Sequence, residues 1–229
     1  MTLRTAALAG LLSLAVSTPT LQADQSRHPY RHAVYEVTIT NVTRDQSFTP
    51  LLVVAHHPRV SLFEVGQPAS PELEALAETG ATGPFEEALA STPGVRGVAT
   101  GEGLLAPGMT ATIKVKGHRG DRISLAGMLI PTNDGFVALD GAGPFDRWAQ
   151  SVYAPAYDSG TEMNDETCAS IPGPDYVECG GPGGGGAPEG GEEGFVRIHE
   201  GLHGVGDFDE ATRDWRNPVA KVSIRRIHQ

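Results

Sequence analysis

The chain has 229 residues and carries 28 acidic against 17 basic side chains, a formal net charge of −11. That balance argues against nucleic acid and anionic membrane surfaces as partners, since both call for a cationic face. It leaves two readings of the acid surplus, solubility or a site for a hard cation.

In chain order, Met1 to Arg4 forms a short positive segment and Ala6 to Val16 an apolar run without charge. Leu21-Gln22-Ala23 then offers a small residue before Asp24. The run is about half of the ~20 residues a bilayer span needs, so 1–23 reads as a cleaved secretory signal, and no later segment reads as a span. Residues 24–32 are a polar, flexible lead-in, and 33–229 form one domain. Val34 to Val42 is β-branched and nearly alternating, and Pro50 to Ala55 reads as a more buried strand. Pro71 to Glu78 is a short helix with Ser70 as its N-cap and Pro71 in its first turn, and Pro84 to Ala90 adds a turn or two. Met109 to Val115, Arg122 to Ile130, Phe136 to Leu139, Phe195 to Ile198 and Val219 to Ile224 complete the strands. Short strands with helix confined to one insertion predict an all-β fold, an antiparallel β-sandwich. The Gly-rich region 157–194 reads as a long loop with little core to offer. Within it lie Cys168 and Cys179. Export makes a disulfide between them the expectation, closing a short loop.

His199-Glu200-Gly201-Leu202-His203 matches the zincin string H-E-x-x-H, in which two imidazoles on one helical face hold zinc and the Glu activates water. The flanks do not build that helix. A strand-like segment precedes the string, and Gly201, Gly204 and Gly206 each cost about 1 kcal/mol of helix relative to Ala. No Met follows Met163 to supply the turn of a metzincin. Two His on a Gly-rich loop is the reading adopted, with the secreted zinc protease as the alternative.

Several ordered segments resemble one family. Met128 to Asp140, with its Pro131-Thr132-Asn133-Asp134 turn, is similar to a signature of the spondin N-terminal domain family. Tyr157-Asp158-Ser159-Gly160-Thr161-Glu162 resembles that family's Tyr-Asp-Ala-Gly-Thr-Asp/Glu. Asn164-Asp165-Glu166, Cys168 to Pro174, the region His203 to Ala220 and the start Tyr35 to Asn41 resemble its bacterial branch, so the likeness spans about 33–228. The resemblance implies a C2-like sandwich, stand-alone and secreted outside animals, adhesive toward the matrix within them. It also implies a calcium ion at one end, with carboxylates falling on Asp134 and Asp158. The third acid of the animal domains has no counterpart around Lys114-Val115-Lys116, which implies different coordination or a weaker site.

The residues themselves support a cation. Calcium takes six to eight oxygens from loops. Asp134 and Asp140 flank a strand, while Asp158, Glu162, Asp165 and Glu166 crowd one loop. The candidate ligand set is Asp134, Asp158, Glu162 and Asp165; the competing role for Asp134 and Asp158 is turn formation through bonds to backbone amides. His56-His57 reads as a surface loop, Asn41-Val42-Thr43 as a sequon inside a strand, and Trp148 and Trp215 as packing anchors rather than a carbohydrate platform. The expectation is a secreted or periplasmic calcium-binding module without catalytic activity, serving adhesion or the binding of an extracellular or envelope protein or glycan. A metal-free domain packed within an envelope complex is a third reading.

Overall fold

The computed structural model describes residues 32–227, so the proposed signal segment and most of the lead-in lie outside the described residues. In chain order the elements are β1 (His32–Asn41), β2 (Ser47–Phe48), β3 (Leu52–His56), α1 (Pro71–Thr79), α2 (Gly83–Ser91) and β4 (Val95–Thr100). They continue with β5 (Thr110–His118), β6 (Arg122–Ile130), β7 (Gly135–Ala142), β8 (Gln150–Ala154) and β9 (Ala156–Asp158). Last come β10 (Asp175–Tyr176), β11 (Gly181–Pro182), β12 (Arg197–Ile198), α3 (Glu210–Arg213) and β13 (Ala220–Ile227).

Two antiparallel sheets face one another, one ordered β5-β1-β13-β8 and the other β12-β9-β7-β6-β3-β4, with β2 paired to β6. The first sheet has one wet face, and its alternation shows this. Tyr35, Val37 and Ile39 are fully buried inward. On the other face Thr38 and Thr40 pair across strands with Thr112 at 3.1 Å and Thr110 at 2.9 Å, and Glu36 meets Arg225 at 2.6 Å. Such cross-strand pairs fix register.

The centre of the second sheet is covered on both faces, which is why every residue of β3 is buried. Val53, Ala55, Leu125 and Val137 pack toward the first sheet. Leu52, Val54, Ala126, Phe136 and Ala138 pack instead against Leu73, Leu76, Phe85 and Leu89 of the helical insertion. The insertion therefore forms a third layer. It starts where expected: Ser70 Oγ accepts from Leu73 N at 3.3 Å, and Gly80 ends α1 at φ +71°.

The 157–194 region supplies more core than its composition suggests. Cys168 and Cys179 are bonded, with Cα atoms 5.6 Å apart, and β10 and β11 form a small hairpin beside them. These constraints hold Ile171 and Tyr176 in the main core, where Tyr176 meets Phe208 edge to face at 5.3 Å. Among the described residues no helix is long and apolar enough to cross a membrane.

Candidate metal centre

β6 ends in a turn built by Thr132. Its Oγ1 donates to the Leu129 carbonyl and accepts from Gly135 N at 3.0 Å, which sets Asp134 at the entrance of β7. Antiparallel pairing places Gly135 opposite Asp158 on β9, so the two aspartates of the separate motifs become neighbours. Both are fully buried. Beyond β9 the chain turns at Gly160, whose φ is +70° and whose Cβ, if present, would lie 2.3 Å from the Phe195 carbonyl. Only glycine fits there. Its N–H donates to Asp158 Oδ1 at 2.8 Å.

The loop then wraps Asp134. Ser159 Oγ, Thr161 N and Glu162 N donate to Asp134 Oδ2 at 2.9, 2.8 and 3.1 Å. The other oxygen, Oδ1, is buried with no hydrogen-bond partner. Glu162 repeats the pattern: Oε1 accepts from Ala187 N at 3.0 Å, and Oε2 is buried without a partner. Two buried carboxylates with one unsatisfied oxygen each are costly alone and well suited to a hard cation.

Their acidities reflect that cost. Burial, reinforced by the charge of Asp158, pushes the Asp134 carboxyl up to about 6 despite the bonds to Oδ2. Burial pushes Glu162 up to about 7 against its bond from Ala187, with Glu78, Asp134 and Asp165 adding repulsion. Glu78 of α1 is also raised, by burial first, with the nearby Thr161 hydroxyl opposing the shift and the charges of Glu74 and Asp134 adding to it. Burial raises Asp158 too, although its bond from Asn164 and the Arg197 charge pull the other way. Arg197, opposite Asp158 in the β12–β9 pairing, reaches its Oδ2 at 3.0 Å. Sequence reading missed Glu78 and Arg197 because neither lies near the motif residues in the chain.

Asp165 sits in different surroundings. Burial is outweighed by bonds from Ser170, Asn133 and Thr167, which hold it below the usual carboxylate range. Both of its oxygens are engaged, Oδ1 by Asn133 at 3.0 Å and Thr167 N at 3.0 Å, Oδ2 by Ser170 at 2.6 Å and Thr167 Oγ1 at 3.2 Å. It staples its own loop to the 131–135 turn. Glu166, at φ +54°, clamps the following segment by accepting from His203 N at 2.6 Å and Val205 N at 2.9 Å. Asp140 stays apart, accepting from Ser124 Oγ at 2.8 Å and Leu62 N at 3.1 Å.

The zincin string is not helical. It follows β12 as irregular chain, with Gly201 at φ +108°. His199 is buried against Trp215, ring centroids 4.9 Å apart. Its Nδ1 accepts from Gly201 N at 3.2 Å, and burial holds its pKa down to about 4. Glu200 is 71% exposed and lies 3.7 Å from Arg197, while His203 is exposed.

Two minor expectations change. His56 is fully buried, not on a surface loop, because it caps β3 and its Nε2 lies 2.7 Å from Ser124 Oγ. Asn41 of the sequon lies in β1 as expected and is buried, its Nδ2 donating to the Gln46 and Leu105 carbonyls at 2.7 and 3.0 Å. Trp215 is a packing residue as expected, whereas Trp148 is 71% exposed.

Among the described residues no three His, Cys, Asp or Glu side chains form a group that could hold a metal ion by themselves. A cation at Asp134 and Glu162 would have to take its remaining oxygens from neutral groups or water, as calcium can. No curated protein matches the chain. The family model described as Spondin_N matches residues 31–167, which hold both acidic loops of the site. The chain belongs to the spondin N-terminal domain family.

Proposed function

We propose that this protein is an exported binding module in which calcium ties the 131–135 turn to the 158–166 loop, and that it acts by adhesion or partner binding rather than by catalysis. The observation that carries the reading is the pair of buried, unpartnered carboxylate oxygens, Asp134 Oδ1 and Glu162 Oε2. Asp158, and Glu78 from the helical layer, add negative potential to the same place. Asp165 is left to its structural role. The Cys168–Cys179 disulfide supports an oxidising compartment outside the cytoplasm, where calcium is abundant enough for a site with few carboxylates. The protease alternative lacks its requirement, a helix over 196–206 with converging imidazoles.

Proton linkage gives the test. Asp134 and Glu162 have folded-state pKa values raised to about 6 and about 7. The metal-free fold therefore holds more protons than the unfolded chain between roughly pH 4 and 7, and these groups cost stability as pH rises through that window. His199 slopes the opposite way, because a pKa lowered to about 4 removes stability as pH falls below its unfolded value. The calcium-dependent difference is thus the diagnostic quantity. On chelator-stripped protein, calcium at roughly 100 times its Kd should raise Tm by about 5–10 °C at pH 7.5 and by far less at pH 5, where the pair is protonated. A Tm indifferent to millimolar calcium at both pH values would contradict the proposal.

A further inference from the structure

The net charge hides a polar molecule. β6 is nine residues long, roughly 30 Å at ~3.3 Å per residue, and it separates the acidic centre from an end of opposite character. There the turn between β5 and β6, the loop between β7 and β8, and the end of β13 meet. They surround a cleft of about 330 Å³ lined by Arg119, Asp146, Arg147, Trp148 and Arg226. Among the described residues, three guanidinium groups thus line the cleft with one carboxylate.

Two of these side chains suit the cleft to a ligand. Arg226 is only 11% exposed, and its ion partner, Asp146, is 3.9 Å away and itself 77% exposed. That long, exposed ion pair leaves the Arg226 guanidinium able to take a further anion. The other acid nearby, Asp121, is committed to its own turn, accepting from His118 N at 2.6 Å. Trp148 presents a 71% exposed indole, with the Arg147 guanidinium 5.3 Å from its ring centroid. The loop that carries it is anchored, since Arg226 N donates to the Asp146 carbonyl at 2.8 Å.

We propose that this cleft binds an acidic saccharide. A sugar ring lays its flat C–H face on Trp148, and a carboxylate or sulfate on the ring enters the fork of Arg119, Arg147 and Arg226. Planar guanidinium groups match both anions bidentately, and an exposed indole offers the apolar platform. A membrane or nucleic acid spreads its charge widely and is repelled by the acidic remainder of the chain. A short acidic oligosaccharide brings its charge only to the cleft. The inference is independent of the calcium reading, which concerns the other end of the sandwich.

The test is titration in EDTA with a hexagalacturonate, a heparin hexasaccharide, neutral cellohexaose and inorganic sulfate. The chain has two tryptophans, and Trp215 is buried, so a change in emission reports Trp148. At low ionic strength at least one acidic hexamer should shift the emission saturably, with cellohexaose and sulfate at least ~10-fold weaker, and 0.5 M NaCl should weaken binding. By calorimetry, Arg147→Ala and Trp148→Ala should each lower affinity at least ~10-fold with Tm unchanged, because both side chains are exposed. Arg226→Lys should lower it without loss of the fold. Binding by neither acidic hexamer, parent-like affinity in Trp148→Ala, or sulfate binding as tightly as the hexamers would overturn the proposal.

Discussion

Asp134→Asn should abolish high-affinity calcium binding while leaving the metal-free protein at least as stable as the parent at pH 7.5. The two effects separate because Asp134 has two unlike oxygens. Oδ2 accepts from Ser159, Thr161 and Glu162, and an amide oxygen can accept the same bonds. Oδ1 has no partner, so the substitution removes an uncompensated buried charge, which offsets the unpartnered amide N–H put in its place. Calcium affinity should fall by more than about 100-fold, and the calcium-dependent rise in Tm should vanish with it. Asp165→Asn is the contrasting variant. It should keep most calcium binding and lose stability, because its carboxylate accepts four bonds within the protein. Parent-like calcium uptake by Asp134→Asn, or equal losses in both variants, would assign the site wrongly.

Phe136→Ala should cost about 3–5 kcal/mol, a Tm loss on the order of 10 °C. Phe136 is fully buried on the outer face of the second sheet. It stacks on Tyr157 at 5.5 Å and meets Phe63 edge on at 5.3 Å. It therefore joins β7, β9 and the segment leading into the helical layer. Truncation leaves a cavity that three different elements would have to move to fill. Phe136→Leu, which keeps most of the volume, should cost no more than about 1.5 kcal/mol. Urea unfolding with an unchanged m-value would read both. A loss below about 1 kcal/mol for the alanine variant would show that the helical layer does not depend on this contact.

Much of the architecture was legible because it rests on local pattern. Alternation from Val34 onward marks a strand with one wet face, and the continuous apolar run at Leu51–Ala55 marks one with none. Ser70 followed by Pro71 announces α1 through capping chemistry. β4 escaped because Gly97 interrupts it, and tertiary approach explains that glycine: an added Cβ would lie 2.2 Å from the Lys116 carbonyl. β8 escaped because it is an edge strand with Gln150, Ser151 and Tyr153 outward.

The site was legible in part. Asp134 and Asp158 stand in recognisable turns, and their adjacency needed only the β7–β9 register. Glu162 and Asp165 look equivalent in sequence. What separates them is which oxygens find donors, and the donors Thr167, Ser170 and Ala187 are set by how the loop folds. Glu78 had no sequence signal at all, since it reaches the site from the helical layer. The zincin string shows the converse. Five matching residues do not form the zinc-binding face of a helix when the backbone beneath them is not helical, and His199 packs against Trp215.

The most direct measurement is isothermal calorimetry of calcium into chelator-stripped protein at pH 7.5. The two unpartnered oxygens predict one ion per chain with sub-millimolar affinity, release of protons on binding as Glu162 and Asp134 ionise fully, and marked weakening at pH 5. No heat of binding up to several millimolar calcium, or binding that releases no protons and is unchanged at pH 5, would contradict the assignment of these carboxylates to a cation.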